Sequence, residues 1–131
     1  MQGRREARER ALELLYEAEA KHTTCAAIVD ALPVAPDAYS TALATGVDGD
    51  HETIDSLLGR NAKGWTLERM PAVDRALLRM ATFELLHRDD VPVAVVISEA
   101  VELAQQFSTE ESGRFVNGVL SAVAKQTRPD D

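Results

Sequence analysis

One cysteine stands in 131 residues. Cys25 has no partner for an internal disulfide, and no neighbouring Cys or His pair makes it half of a zinc site. No run of about 18 apolar residues occurs, so the sequence offers no membrane-spanning segment. The start, MQGRREARER, is not followed by an apolar stretch, so no secretory signal is read there and the cytoplasm is the expected location. Positive charge is also short: 14 Lys and Arg against 22 Asp and Glu leave a formal net charge of −8. An acidic protein repels phosphate as a whole, so any nucleic-acid binding must be local and salt-sensitive.

Catalytic signatures are missing as well. There is no GxxxxGK phosphate loop, no serine nucleophile elbow and no HExxH. His22, His51 and His87 lie far apart and outside any metal or catalytic motif. Glu99 and Glu102 share a helix face, and paired carboxylates can do acid–base work. A solvated or capping pair is the ordinary reading of that spacing. No enzyme activity, metal or cofactor is expected.

What the chain does have is helical periodicity, in a length that suits one domain over residues 1–131. Ala7, Ala11, Leu14, Leu15 and Ala18 form one apolar stripe from residue 4 to about 21. Thr24 caps a short helix that ends before Pro33, and Asp37 caps the next. The GVDGD segment is a break or a weak point, after which 51–61 resumes the pattern. Gly64 ends that helix, and Trp65, Leu67 and Met70 anchor the connection. Pro71 suits the first turn of a helix reaching about His87, apolar on two faces and the candidate centre of the fold. Val95, Val96 and Ile97 read alone as a strand, but Ala100, Val101, Leu103, Ala104 and Phe107 continue them at period 3.6, so helix wins. Ser108 with Glu111 forms a capping box before the last helix. The expectation is an all-α fold of six or seven helices.

Three places carry candidate chemistry. Arg4, Arg5, Arg8 and Arg10 face only Glu6 and Glu9 in the first ten residues. A solvated helix start is the ordinary reading; against it, cations there oppose the helix dipole by about a few tenths of a kcal/mol each, and the guanidinium fork matches phosphate. In RFVNGVL, Arg114, Phe115 and Asn117 offer a cation, a ring and an amide within one turn. Gly118 there costs roughly 1 kcal/mol relative to Ala, which suits close approach of a backbone or ligand. Phe115 reads as core at its spacing with Val119 and Leu120, or as a stacking surface for a base of single-stranded RNA. In PAVDRALLR, Asp74, Arg75 and Arg79 fall on or near the exposed side. Asp74 either favours the helix N-terminus electrostatically or receives a basic protein. The acidic stretch 48–55 adds surface for such a partner.

Taken in order, RREARERALELLYE, VDRALLRMATFELL and DVPVAVVISEAVELAQQFSTEESGRFVNGVL resemble the NusB transcription antitermination factors. The resemblance covers essentially the whole chain and is strongest over roughly the last 60 residues; 22–44 adds nothing to it. It implies about seven helices in two packed small bundles. It also implies binding of the boxA element of ribosomal RNA leader transcripts together with NusE, a small-subunit ribosomal protein, and entry into the RNA polymerase elongation complex. By position, Arg4, Arg5 and Arg8 would contact RNA phosphates, with Glu6 standing where some members have a third basic residue. Arg114 and Phe115, with Glu111 and Ser112 nearby, would lie on the RNA side, and Tyr16, Glu68 and Asp74 would face NusE. Arg8→Ala is then expected to weaken boxA binding and lower its salt slope. Two other readings compete. A similar domain accompanies a ribosomal RNA cytosine methyltransferase, but no GxGxxG and no length for its catalytic domain are present. A helical dimerisation module without an RNA role is the other, and some family members do form homodimers.

Overall fold

The computed structural model describes residues 3–131. Its elements are α1 (Gly3–Ala20), α2 (Cys25–Asp30), α3 (Ala38–Gly49), α4 (His51–Asn61), a 3-10 turn (Leu67–Arg69), α5 (Ala72–His87), α6 (Val93–Phe107) and α7 (Glu110–Thr127). No strand occurs among the described residues. Helices α1 to α3 pack on one another, α4 to α7 form the second bundle, and the two groups join where α1 and α3 meet α5. Helix α5 touches α1, α3, α4, α6 and α7, which explains its apolar character on more than one face. Leu77, Leu78, Met80, Ala81 and Leu85 are almost wholly buried there. Helices α6 and α7 close as a hairpin, with Val96, Ala100, Leu103 and Ala104 buried on one side and Val116, Leu120 and Val123 on the other.

Helix starts follow local capping chemistry. Thr24 accepts from the amide of Ala27 and Asp37 from that of Ser40, each satisfying a donor that the first turn leaves unpaired. Before α7 the register differs by one residue from the sequence expectation. Ser108 still closes α6, donating its amide to the Ala104 carbonyl, so Thr109 becomes the cap and accepts from the Ser112 amide. Pro71 likewise sits one residue ahead of α5, where its carbonyl accepts from Arg75. The break in GVDGD falls at Asp50. Gly46 lies within α3, where a Cβ would come within 2.3 Å of the Phe83 ring, so this glycine lets α3 and α5 approach closely.

Among the described residues, His22 is the non-glycine residue with positive φ, at 54°. It follows α1 in a Schellman arrangement, with its own amide donating to Glu19 and the Thr23 amide to Ala18. The left-handed conformation costs an L-residue about 1–2 kcal/mol, partly offset in glycine by the entropy of the unfolded chain. His22→Gly should therefore raise stability by about 0.5–1 kcal/mol. Thermal unfolding followed by circular dichroism measures this, and a lower melting temperature would count against the assignment.

Candidate nucleic-acid and partner interface

The N-terminal arginines do not stand free. Arg8 is buried, 3% exposed, and its guanidinium donates to both oxygens of Glu84 at 2.8 and 2.9 Å. Burial works against its charge, and the Glu84 carboxylate more than offsets this, holding the Arg8 pKa above its usual value. The Tyr39 hydroxyl donates to the same carboxylate at 2.6 Å. Arg8, expected to contact RNA phosphate, is thus turned into the protein, on the face of α1 that packs on α5. Arg5 is half-buried and donates to both oxygens of Glu99 at 2.6 Å and to Glu102 at 3.1 Å. Glu99 and Glu102 are accordingly arginine partners rather than a solvated pair. Arg4 is more open; it donates to Asp90 at 3.2 Å and lies 4.4 Å from the Tyr39 ring centroid. Arg10 pairs with Glu13 on the same helix.

At the start of α7, neighbours in sequence part company in space. Successive helical residues point about 100° apart, and Arg114 and Phe115 open onto different grooves. Arg114 is exposed, makes no ion pair among the described residues, and lines a groove of about 530 Å³ with Ile97, Val101, Glu102, Gln105 and Asn117. A Cβ on Gly118 would meet nothing within 4 Å, so no backbone of this chain approaches there and the position simply leaves that helix face open. Glu102 belongs both to this groove and to the Arg5 cluster, so this one α6 carboxylate stands between Arg5 of α1 and Arg114 of α7.

Phe115 is half-buried and tilts against Trp65, ring centroids 5.8 Å apart. Together with Asp74, Thr109, Glu111 and Ser112 they line a pocket of about 330 Å³. Asp74, read from sequence as exposed, is buried, 3% exposed, because the start of α5 is covered by the start of α7. Its Oδ1 has no hydrogen-bond partner. Arg75 and Arg79 are also mostly buried, paired with Glu19 and with Asp55 respectively. The acidic stretch 48–55 is likewise spent internally in part: Asp48 accepts from the Cys25 and Ala26 amides, Asp50 meets His87, and Asp55 holds Arg79.

Tyr16 is half exposed and lines a separate apolar groove of about 260 Å³ with Leu12, Val73 and Phe107, edged by Glu9 and Glu13. Val73 and Asp74 are consecutive, so this groove and the Trp65–Phe115 pocket flank the start of α5. Glu68 is exposed on the 3-10 turn and lines neither. Residues assigned from sequence to two surfaces, Asp74 on one and Glu111, Ser112 and Phe115 on the other, are brought into one pocket.

Sequence reasoning passed over four residues that shape these surfaces. Trp65 and Phe107 are both nearly half exposed, although the sequence reads Trp65 as an anchor of a connection and Phe107 as part of the apolar period of its helix. Tyr39 and Arg88 meet Arg4 across 35 and 84 positions, which no local pattern reveals. Cys25 is buried, its thiol pushed up to about 12 by burial and then by Asp48, which leaves it unreactive.

A family model described as the NusB family matches residues 5–125. Among solved structures, the chain is similar to T. maritima NusB at 35% identity, covering 93% of this chain and 90% of that one, with a TM-score of 0.81. It is similar at 27% identity to a chain in a structure of the antitermination factors NusB and NusE in complex with dsRNA, covering 96% and 98%, with a TM-score of 0.81. NusB from Aquifex aeolicus matches at 28% identity over 100% and 95% of the two chains, with a TM-score of 0.78.

Proposed function

The chain belongs to the NusB family, and from that premise we propose that it is a non-catalytic antitermination factor, one domain over residues 1–131, that binds boxA-type RNA jointly with NusE in the cytoplasm. The complex then joins elongating RNA polymerase. The observation that carries this reading is the unpaired Asp74 oxygen in the pocket formed with Glu111, Ser112 and Phe115. A buried acceptor without a donor costs free energy in the isolated protein, and a ligand that supplies the donor recovers it. The pocket is the meeting point of the two proposed surfaces. Phe115 offers a ring for stacking a base, and the carboxylates accept from exocyclic amino groups or from a basic protein side chain.

Charge divides the rest. Phosphate contact belongs to Arg4 and Arg114, since the pocket's two carboxylates repel phosphate. The Tyr16–Phe107 groove, apolar with an acidic edge, suits a basic protein such as NusE. Neither surface is strong alone. Two weak associations sharing one pocket become a stable joint complex because the second binds at the effective concentration set by the first.

Asp74→Ala separates function from folding. Removal of a buried unpaired carboxylate should leave stability unchanged or raise it, while joint binding of labelled boxA-type RNA and NusE weakens about tenfold or more, the range of a hydrogen bond to a charged group. Fluorescence anisotropy at several salt concentrations, with and without NusE, measures the binding. Full joint affinity in the variant would remove Asp74 from the interface; absence of selective RNA binding by the folded native chain, with or without NusE, would sink the proposal itself.

A further inference from the structure

The most exposed of the N-terminal arginine clusters has a feature that RNA binding alone does not require. Arg4 and Arg88 converge on one carboxylate, Asp90, in the turn between α5 and α6. Arg88 Nε donates to Oδ1 at 3.1 Å and Arg88 Nη2 to Oδ2 at 3.3 Å, and Arg4 Nη2 donates to the same Oδ2 at 3.2 Å. Both guanidinium groups lie over the Tyr39 ring, 4.4 and 4.7 Å from its centroid. The ring is fixed from behind, because its hydroxyl is held by Glu84, which is clamped to Arg8. The backbone of Arg88 is fixed too: its amide donates to Glu84 and its carbonyl accepts from Arg128.

A carboxylate held by an arginine fork presents two oxygens in the arrangement that a phosphate also offers. We propose that Arg4 and Arg88, mounted on Tyr39, form a binding site for an RNA backbone phosphate, and that Asp90 is a built-in competitor that occupies the site until RNA displaces it. The inference rests on the RNA-binding reading above and adds Arg88 and a control element to it.

Distances and exposure decide which arginine cluster opens. The Arg5–Glu99 and Arg8–Glu84 bonds are 2.6 to 2.9 Å long, the length of strong charge-assisted bonds. Those to Asp90 are all longer, and its side chain is 53% exposed against 17% for Glu99 and 1% for Glu84. Asp90 remains firmly ionised, its pKa drawn down to about 2 by Arg88 and then Arg4, so it competes as a full negative charge. Releasing it raises the local charge from +1 to +2 without disturbing the buried pairs. The remaining N–H groups of Arg4 have no partner among the described residues and are open to a second phosphate oxygen.

The test compares Asp90→Asn, Asp89→Asn and Arg88→Gln with the native chain, by anisotropy of a labelled boxA-type RNA in the presence of NusE across a salt series. Asp89 is adjacent and exposed but makes no ion pair among the described residues, so it matches the charge change without the contact. Asp90→Asn should tighten binding about two- to fivefold, the range of an exposed ion pair, and steepen the salt slope by about 0.7, one phosphate contact on a single strand. Arg88→Gln should weaken binding and make the slope shallower by about the same amount. Asp89→Asn should do much less than Asp90→Asn. Equal tightening by both Asn variants would reduce the effect to bulk charge and overturn the proposal, as would an unchanged affinity in Arg88→Gln. If the native chain binds RNA and Asp90→Asn binds no better, the competitor fails while the RNA reading stands; if no variant binds, both fall. Circular dichroism of each variant guards against misfolding, and Arg88→Gln, at a half-buried residue whose backbone stays held, keeps the test open should Asp90→Asn be unstable.

Discussion

Arg8→Ala should destabilise the protein by about 3–5 kcal/mol, because it strands the Glu84 carboxylate in the interior without its cation. For a chain of this size that corresponds to a fall in melting temperature of roughly 10–20 °C. Glu84 is 1% exposed and cannot turn to solvent. It also accepts from the Tyr39 hydroxyl, a bond that does not involve Arg8, so the ring beneath Arg4 and Arg88 keeps its support in the variant. Arg8→Met combined with Glu84→Gln should recover much of the loss, since replacing both charges removes the unpaired one and Gln still accepts from Tyr39. Thermal and urea unfolding measure both variants. A single variant within about 1 kcal/mol of the native chain would show the pair to be solvated. At a temperature where Arg8→Ala stays folded, the salt slope of RNA binding should be unchanged, which is the opposite of what the residue's place in the sequence suggests.

Arg128→Ala is the second large effect, at about 2–4 kcal/mol. The Arg128 side chain is only 8% exposed. Its guanidinium donates to four backbone carbonyls, those of Glu84, Leu85, Arg88 and Val91, at 2.6 to 2.9 Å. Three of these belong to the end of α5 or its cap, where the turning chain leaves last-turn carbonyls such as that of Leu85 without a helical donor. One side chain from the end of α7 therefore caps α5 and fixes the turn that leads into α6. Lysine should not replace it, because one ammonium on a flexible stem cannot address four acceptors that a planar fork reaches together. Hydrogen exchange gives the specific readout: amides of residues 85–91 should exchange faster in Arg128→Ala while those of α1 to α3 remain protected. Uniform loss of protection would indicate general destabilisation and no capping role.

Much of the helical layout was legible because it is written in local terms. Apolar spacing, the Thr24 and Asp37 caps and the prolines ahead of α5 and α6 all act within a turn or two of chain. The run Val95, Val96, Ile97 was read correctly as helix once its continuation was counted, and in the structure Val96 is buried while Val95 faces out. The sequence names Ser108 as the cap before α7, but spacing alone could not place the end of α6, and Thr109, one residue on, is the cap.

The site residues were less legible. Types and positions could be named from sequence, but their availability could not. Arg4, Arg5 and Arg8 look alike in a string, yet one is exposed, one is half-buried and one is buried in an ion pair. Asp74 reads as an exposed acid because its neighbours in sequence are charged, and α7 covers it in space.

The sequence by itself determined the all-α class, the helix order, the central place of α5 and the family resemblance, since periodicity, capping and motif order are properties of neighbouring residues. Only the tertiary structure decided which charges are free. Each of the four carboxylates that hold Arg4, Arg5 and Arg8 lies more than 75 positions from its arginine. The physical reason is that an arginine's capacity to bind phosphate depends on what already faces its guanidinium, and packing α1 against α5 and α6 sets that.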